Sequence, residues 1–169
     1  MNPDIASALN DQIAKEFTAA FLYLSFSANM HQYGMNGAAL WLRAQYYEEC
    51  EHALRLQDYL LLRRIPVRMP VIDCQDYAWS SPLDVFRLAL EHERMITLSI
   101  HNLLTLCRHE QDYATENLLL KYVDEQVEEE DSVENIVSAL CRCANDESAL
   151  MQLDARLGTA RKLPDTSWN

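Results

Sequence analysis

Glu49 and His52 stand three residues apart in the run Glu48-Glu49-Cys50-Glu51-His52. On an α-helix that spacing puts them one turn apart on one face, where a carboxylate and an imidazole can reach the same metal ion. Glu-x-x-His also turns up on many exposed helices, so the pair gains weight only from its surroundings. Here the surroundings repeat. Three other segments carry an acid or an amide in the middle of a mostly apolar stripe: Glu16 in the first, Glu93 in the third, and Gln126 with Glu129 in the fourth. Oxygen-rich ligation with one histidine suits iron or manganese, whereas thiolate sites suit zinc and copper. No cysteine falls on the polar positions, although Cys50 is adjacent in sequence. Zinc can still fill such a site as a redox-inert mimic.

The elements that must position these groups are long helices. Asn2-Pro3-Asp4 reads as a helix start, with a cap, a proline at the first helical position and an acid in the first turn. Leu9, Ile13, Glu16, Ala20, Tyr23, Ser27 and Met30 then follow a heptad seam, the stripe that a bundle helix turns inward. This helix should fail between His31 and Gly34. Asn36 is the next cap candidate, and Ala38, Leu42, Gln45, Glu49, His52, Leu56 and Tyr59 form a second seam that runs to about Arg63 and Arg64. Ser81 and Pro82 restart the helix for a third seam: Phe86, Ala89, Glu93, Ile96, Ile100, Leu103 and Cys107. After a break near His109 to Asp112, the fourth seam is Leu119, Tyr122, Gln126, Glu129, Val133, Ile136, Leu140 and Cys143. Leu150, Leu153 and Leu157 mark a short last helix, expected to end with Gly158 as its C-cap. The expected spans are 3–31, 37–63, 82–108, 112–143 and 146–157, with Thr159 to Asn169 a frayed tail.

Residues 65–81 differ from the rest. They include Pro66, Pro70, Asp73 and Asp76 and show no sustained period. At roughly 3.3 Å per residue such a link can travel roughly 50 Å, more than a helix of ~28 residues needs. The fold class is therefore all-α: a four-helix bundle in up-down-down-up order, with a long crossover between helices 2 and 3 and a short fifth helix. In that order Glu16, Glu49, His52, Glu93, Gln126 and Glu129 fall within roughly 9 Å of height at ~1.5 Å per residue. One mid-bundle layer would then hold four carboxylates, one imidazole and one amide, with no Lys or Arg among the seam residues. Buried carboxylates are rare unless paired or metal-bound. Two divalent cations would balance the charge. The competing readings are a polar layer that fixes register, which usually needs one Asn rather than four acids, or glutamates kept protonated by burial.

Composition narrows the function. The 169 residues are 49% hydrophobic with three glycines, which favours long helices over a turn-rich β fold. A net charge of −12 argues against a nucleic-acid partner and is compatible with a cationic substrate. The five cysteines, Cys50, Cys74, Cys107, Cys141 and Cys143, lack disulfide-framework spacing and read as reduced thiols. No signal peptide and no membrane span is visible, so the expected compartment is the cytoplasm.

Taken together, Glu16 with Tyr23, Glu48-Glu49-Cys50-Glu51-His52, Glu93, and Glu125-Gln126-Val127-Glu128-Glu129 resemble a bacterial non-haem ferritin over nearly the whole length. The resemblance implies an iron-storage protein with ferroxidase activity. Fe(II) would be oxidised by O₂ or peroxide at a di-iron centre within one subunit, and ferric oxide stored inside a hollow shell of 24 copies. It implies that Glu16, Glu49 and His52 hold the first iron, with Glu49 bridging and Glu93 and Glu129 holding the second. Gln126 stands in place of the acid of a second Glu-x-x-His, which di-iron enzymes and bacterioferritins keep. Tyr23 would sit beside the centre, either bonding a ligand or supplying an electron; otherwise it is a core aromatic with a satisfied hydroxyl. Glu48, Glu125 and Glu128, with Glu129, would form a third iron site towards the cavity. Glu116 is a weaker candidate for an entry pore. No methionine in the second helix supplies the axial position of a bacterioferritin, so no haem is expected.

Two other classes stay in view. A di-iron or di-manganese oxidase or peroxidase without a storage role should show a second Glu-x-x-His and an open substrate pocket. A non-catalytic helical interaction protein would bind no iron and stay monomeric or dimeric. A twelve-subunit miniature ferritin is disfavoured, since one chain here supplies both halves of the site. Tyr33, Trp41, Tyr47, Tyr77 and Trp79 exceed what one bundle core needs, which points to burial between subunits.

Overall fold

Asn2 opens the first helix by accepting the Asp4 N–H on its side-chain oxygen at 2.7 Å, and Pro3 occupies the first helical position. The computed structural model describes residues 1–69, 71–72, 77–143 and 146–164. Among them run α1 (Pro3–Tyr33), α2 (Asn36–Leu62), α3 (Pro82–His109), α4 (Tyr113–Cys143) and α5 (Glu147–Ala160). Gly34 ends α1 in the left-handed region at φ 93°, and the Met35 N–H returns to the Met30 carbonyl at 2.9 Å. Ser81 caps α3 through the Asp84 N–H at 3.2 Å, and Asp112 accepts the Thr115 N–H at 3.2 Å at the start of α4.

Two expectations about helix ends need correcting. Asn36 is not the cap of α2: it is already helical, and Met35 before it makes no side-chain cap bond. The orphan amides of Gly37 and Ala38 are instead met by the Asp154 carboxylate of α5, at 3.1 and 2.8 Å. Nor is Gly158 a C-cap. It lies inside α5, which continues to Ala160 and takes Thr159 out of the expected tail. Gly158 serves close packing. A Cβ on Gly37 would come within 1.8 Å of the Asp154 carbonyl oxygen and 2.9 Å of the Gly158 nitrogen. Only two glycines let α5 cross α2 this closely.

Side-chain contacts give the helix directions. From the α1 cap Asn2 through Lys15 to Tyr23, the partners are Glu110, just past α3, then Ser99 and Glu93 within it, so these helices run antiparallel. Along α2 from Gln45 to His52 to Tyr59, the partners on α4 are Glu129, Glu125 and Thr115, again antiparallel. The Ser27–Ala39 bond makes α1 and α2 antiparallel through their short link. The order is up, down, down, up, as the seams require. The crossover from α2 to α3 is pinned early: Asn10 donates to the Pro66 carbonyl at 3.3 Å and accepts the Arg68 N–H at 2.7 Å. Pro70, Asp73, Cys74 and Asp76, which entered the reading of this link, lie outside the described residues, as do Asn145 and residues 165–169.

The apolar core is in two parts. One packs Tyr23, Phe26, Met30, Leu42, Phe86 and Val133 with Leu153 and Leu157 of α5. The other packs Ile5, Leu9, Ile13, Leu56, Leu60, Ile100 and Leu119. Between them, along every bundle helix, lies the polar layer. The aromatics thought surplus are partly used within the chain: Trp41 is buried against Phe86, Tyr77 packs on Phe26, and Trp79 on Tyr33. Exposed apolar surface remains elsewhere, at Leu40, Leu54, Leu62, Leu98, Tyr113 and Val127. No described helix is long and apolar enough to cross a membrane.

Candidate metal centre

Glu16 of α1 and Glu49 and His52 of α2 meet where the two helices face each other. Each offers a ligand atom, and these atoms lie within 4.8 Å of one another. All three residues are buried, with Glu16 at 0% exposure. Glu49 and His52 approach through Oε2 and Nδ1 at 3.3 Å, the one-turn neighbours that their spacing demands. One Glu16 oxygen accepts from Gln12 at 2.8 Å, while Oε2 has no donor among the described residues. Its neighbour is Glu49, another acceptor. Two buried carboxylates side by side need a proton or a cation between them. Burial, and then the Glu49 charge, push the Glu16 carboxyl up to about 8. Glu49 is driven well above the ordinary carboxylate range by burial and by Glu93.

Glu93 and Glu129 reach the same layer from α3 and α4. Glu93 is 0% exposed and accepts from the Tyr23 hydroxyl and from Gln126 Nε2, the latter at 3.1 Å. Burial holds its carboxyl at about 7 despite these two donors. Burial keeps Tyr23 a neutral phenol by raising its pKa well above the ordinary value. Gln126 also donates to the Glu93 carbonyl and to Thr97, at 3.3 and 3.2 Å. Its amide thus faces Glu93 as a donor, a role a glutamate there would not fill. Glu129 is buried and accepts from Gln45 at 2.8 Å.

The outer acids divide. Glu48 is half-buried and adjoins Glu129; burial first, and the Glu129 charge second, raise its pKa. Glu125 lies 3.5 Å from His52 Nε2 and also pairs with Arg55. Glu128 is exposed and forms no hydrogen bond or ion pair with the other described site residues. The layer is not free of cations, contrary to expectation. Arg161, the first residue after α5, sends Nη2 to both Glu129 oxygens at 3.2 and 3.0 Å and Nη1 to Glu48. Its guanidinium lies 5.0 Å over the Trp41 ring.

A sequence model of the ferritin-like domain matches residues 6–143. The chain belongs to the ferritin family. It is 34% identical over 154 residues to the bacterial non-haem ferritin of Bacteroides fragilis, covering 91% of this chain and 96% of that one. To the Campylobacter jejuni counterpart it is 37% identical over 140 residues, 83% and 84% of the two chains. Among solved structures, an open-pore ferritin from the hyperthermophilic archaeon Archaeoglobus fulgidus superposes with a TM-score of 0.93 at 37% identity, over 96% of this chain and 99% of that one.

Several polar partners at this site were not among the expected site residues, although Gln45 and Tyr122 stand on the expected seams. Gln12 is 1% exposed, and its amide links Glu16 to Ser99, whose hydroxyl it accepts at 2.6 Å; Lys15 in turn donates to Ser99 at 2.5 Å. Gln45 bears on Glu129, and Tyr122 donates to the His52 carbonyl at 2.8 Å. A signal existed for the two glutamines: each lies four residues before a buried glutamate on the same helix face. Arg161 had none. Glu116 is paired with Arg108 at 2.8 Å. His92, beside Glu93, is half-buried between helices with both ring nitrogens unpartnered among the described residues, and burial lowers its pKa to about 4.

Proposed function

We propose that this chain is an iron-storage ferritin whose ferroxidase centre lies wholly within one subunit. The observation that carries this reading is the buried Glu16, Glu49 and His52 cluster, with ligand atoms within 4.8 Å and a Glu16 oxygen that no described donor satisfies. The substrate is Fe(II). Glu16, Glu49 and His52 hold the first ion, Glu49 bridges, and Glu93 and Glu129 hold the second. Each Fe(II) gives one electron to O₂ or peroxide, and the carboxylates favour the hard Fe(III) product. Tyr23 fixes Glu93 through its hydroxyl, and the Gln126 amide orients the same carboxylate from the other side. Binding two ions displaces the protons that burial keeps on Glu16, Glu49 and Glu93, so uptake releases protons. Glu48 and Glu125, with Glu129, border a further iron position on the cavity side of the centre, which the exposed Glu128 would join only by turning its side chain inward.

The ferric product collects as mineral inside a shell of identical subunits, 24 by resemblance, each a single domain of this kind, in the cytoplasm. The exposed apolar side chains Leu54, Leu62, Leu98 and Tyr113 support burial against other copies. Anaerobic Fe(II) titration followed by air tests the reading. Saturation at two or three ions per subunit and the growth of ferric absorbance are expected; no binding, or binding without oxidation, refutes it. Gel filtration tests the shell, which for 24 copies of a 19.5 kDa chain would elute at about 470 kDa.

A further inference from the structure

Arg161 places a permanent positive charge where the proposed second iron needs negative ligands. A guanidinium cannot lose its proton in a protein, so it competes with any cation for the carboxylates it holds. Both oxygens of Glu129 and one of Glu48 are engaged by it. Its position is set by α5, not by chance contact of a loose tail. Asp154 clamps the first amides of α2, Leu153 and Leu157 enter the core, and Gly37 meets Gly158; Arg161 follows directly. Trp41 supports the guanidinium from below. In contrast, no Lys or Arg touches Glu16, Glu49 or His52 among the described ion pairs. The centre is therefore electrostatically lopsided. Its α1–α2 side lacks a cation and its α4 side holds one.

We propose that Arg161 is a displaceable counter-ion that orders metal loading. It neutralises Glu129 and Glu48 in the iron-free chain. The Glu16, Glu49 and His52 position fills first, and the Glu129 side fills only as Arg161 leaves. A cavity of 660 Å³ bordered by Tyr47, Glu48, Cys50 and Arg55 adjoins the guanidinium and gives the side chain somewhere to go. Filling the second position is thus coupled to movement of the segment after α5. The inference rests on the proposed iron site and adds the order of its filling.

Calorimetric titration of the full-length assembled protein with Zn(II), which undergoes no redox step, tests it without any activity readout. The wild type should titrate in two phases, tight then weak. In Arg161→Gln the weak phase should tighten about tenfold, the scale of one partly exposed charge-assisted pair, with the tight phase unchanged. Arg161→Lys, which keeps a charge but not the fork, should fall between. Tryptophan emission, which includes that of Trp41 beneath the guanidinium, should shift in the weak phase of the wild type and not in Arg161→Gln. Identical two-phase titrations in wild type and Arg161→Gln would overturn the counter-ion role while leaving the metal site standing. Loss of every tight phase in both proteins would overturn the site and this inference with it.

Discussion

Replacing Glu16 with glutamine should make the metal-free protein more stable and the metal-loaded protein less so. Glu16 has an ordinary pKa of 4.5 in the unfolded chain and about 8 in the folded one. Between these values the folded state binds a proton that the unfolded state has lost, so stability falls as pH rises. The group's contribution is fully retained below about pH 4.5 and fully lost above about pH 8. At pH 7 the difference amounts to about 3 kcal/mol, at 1.36 kcal/mol per pH unit. Glutamine has the same shape, can still accept from Gln12, and can donate to Glu49 as the protonated acid does, but it has no charge to suppress. Glu16→Gln should therefore gain about 2–3 kcal/mol at pH 7, equivalent to about 5–10 °C in melting midpoint for a domain of this size. The assay is guanidinium unfolding of chelator-treated protein at pH 5, 7 and 8.5, at one protein concentration, with and without Zn(II). Without metal the variant should be the more stable, by a margin that widens from pH 5 to 8.5. With zinc the order should reverse, because metal binding stabilises the wild type by mass action and the variant lacks the proposed Glu16 ligand. The reasoning fails if metal-free Glu16→Gln is no more stable than wild type at pH 7, or if the margin shrinks as pH rises.

Gln12→Leu removes the donor on Glu16 and should weaken the tight Zn(II) phase by about tenfold while costing about 1–2 kcal/mol of folding stability; an unchanged zinc affinity would show that Gln12 does not position Glu16. Gly37→Ala forces a methyl against the Asp154 carbonyl and should cost about 2 kcal/mol or more of α5 docking. Limited proteolysis should then cut near α5 much faster than in wild type, and equal cutting rates would count against the packing argument. Gln126→Glu turns a donor on Glu93 into a competing acid. It should destabilise the metal-free protein at pH 8 and leave ferric ion bound to the protein after desalting, whereas product release at the wild-type rate would argue that the amide has no part in turnover.

The four bundle helices and the polar layer were legible because both are written in local spacing. A heptad seam states which face of a helix turns inward, and a charged residue on that seam must share the core with whatever the other seams bring. Glu16, Glu49, His52, Glu93, Gln126 and Glu129 are all buried in one layer between two apolar clusters. Glu128 was less legible: one residue off its seam, it stays exposed, because a helix turns by 100° per residue and carries it out of the layer.

What spacing could not encode is which distant groups satisfy these residues. Asn36 had the right type for a cap, yet the amides of α2 bind Asp154, which lies 116 and 117 residues away in sequence from the two it caps. Gly158 had the right type for a helix end, yet it sits inside α5 because a side chain there would press on Gly37. Arg161 carried no periodic signal at all. Sequence alone determined that four helices must bury acids at one level, since periodicity and the cost of burying charge are local facts. Only the tertiary structure decided that α5 folds back over the start of α2 and delivers a guanidinium to Glu129 and Glu48, since that depends on a docking surface that no single segment contains.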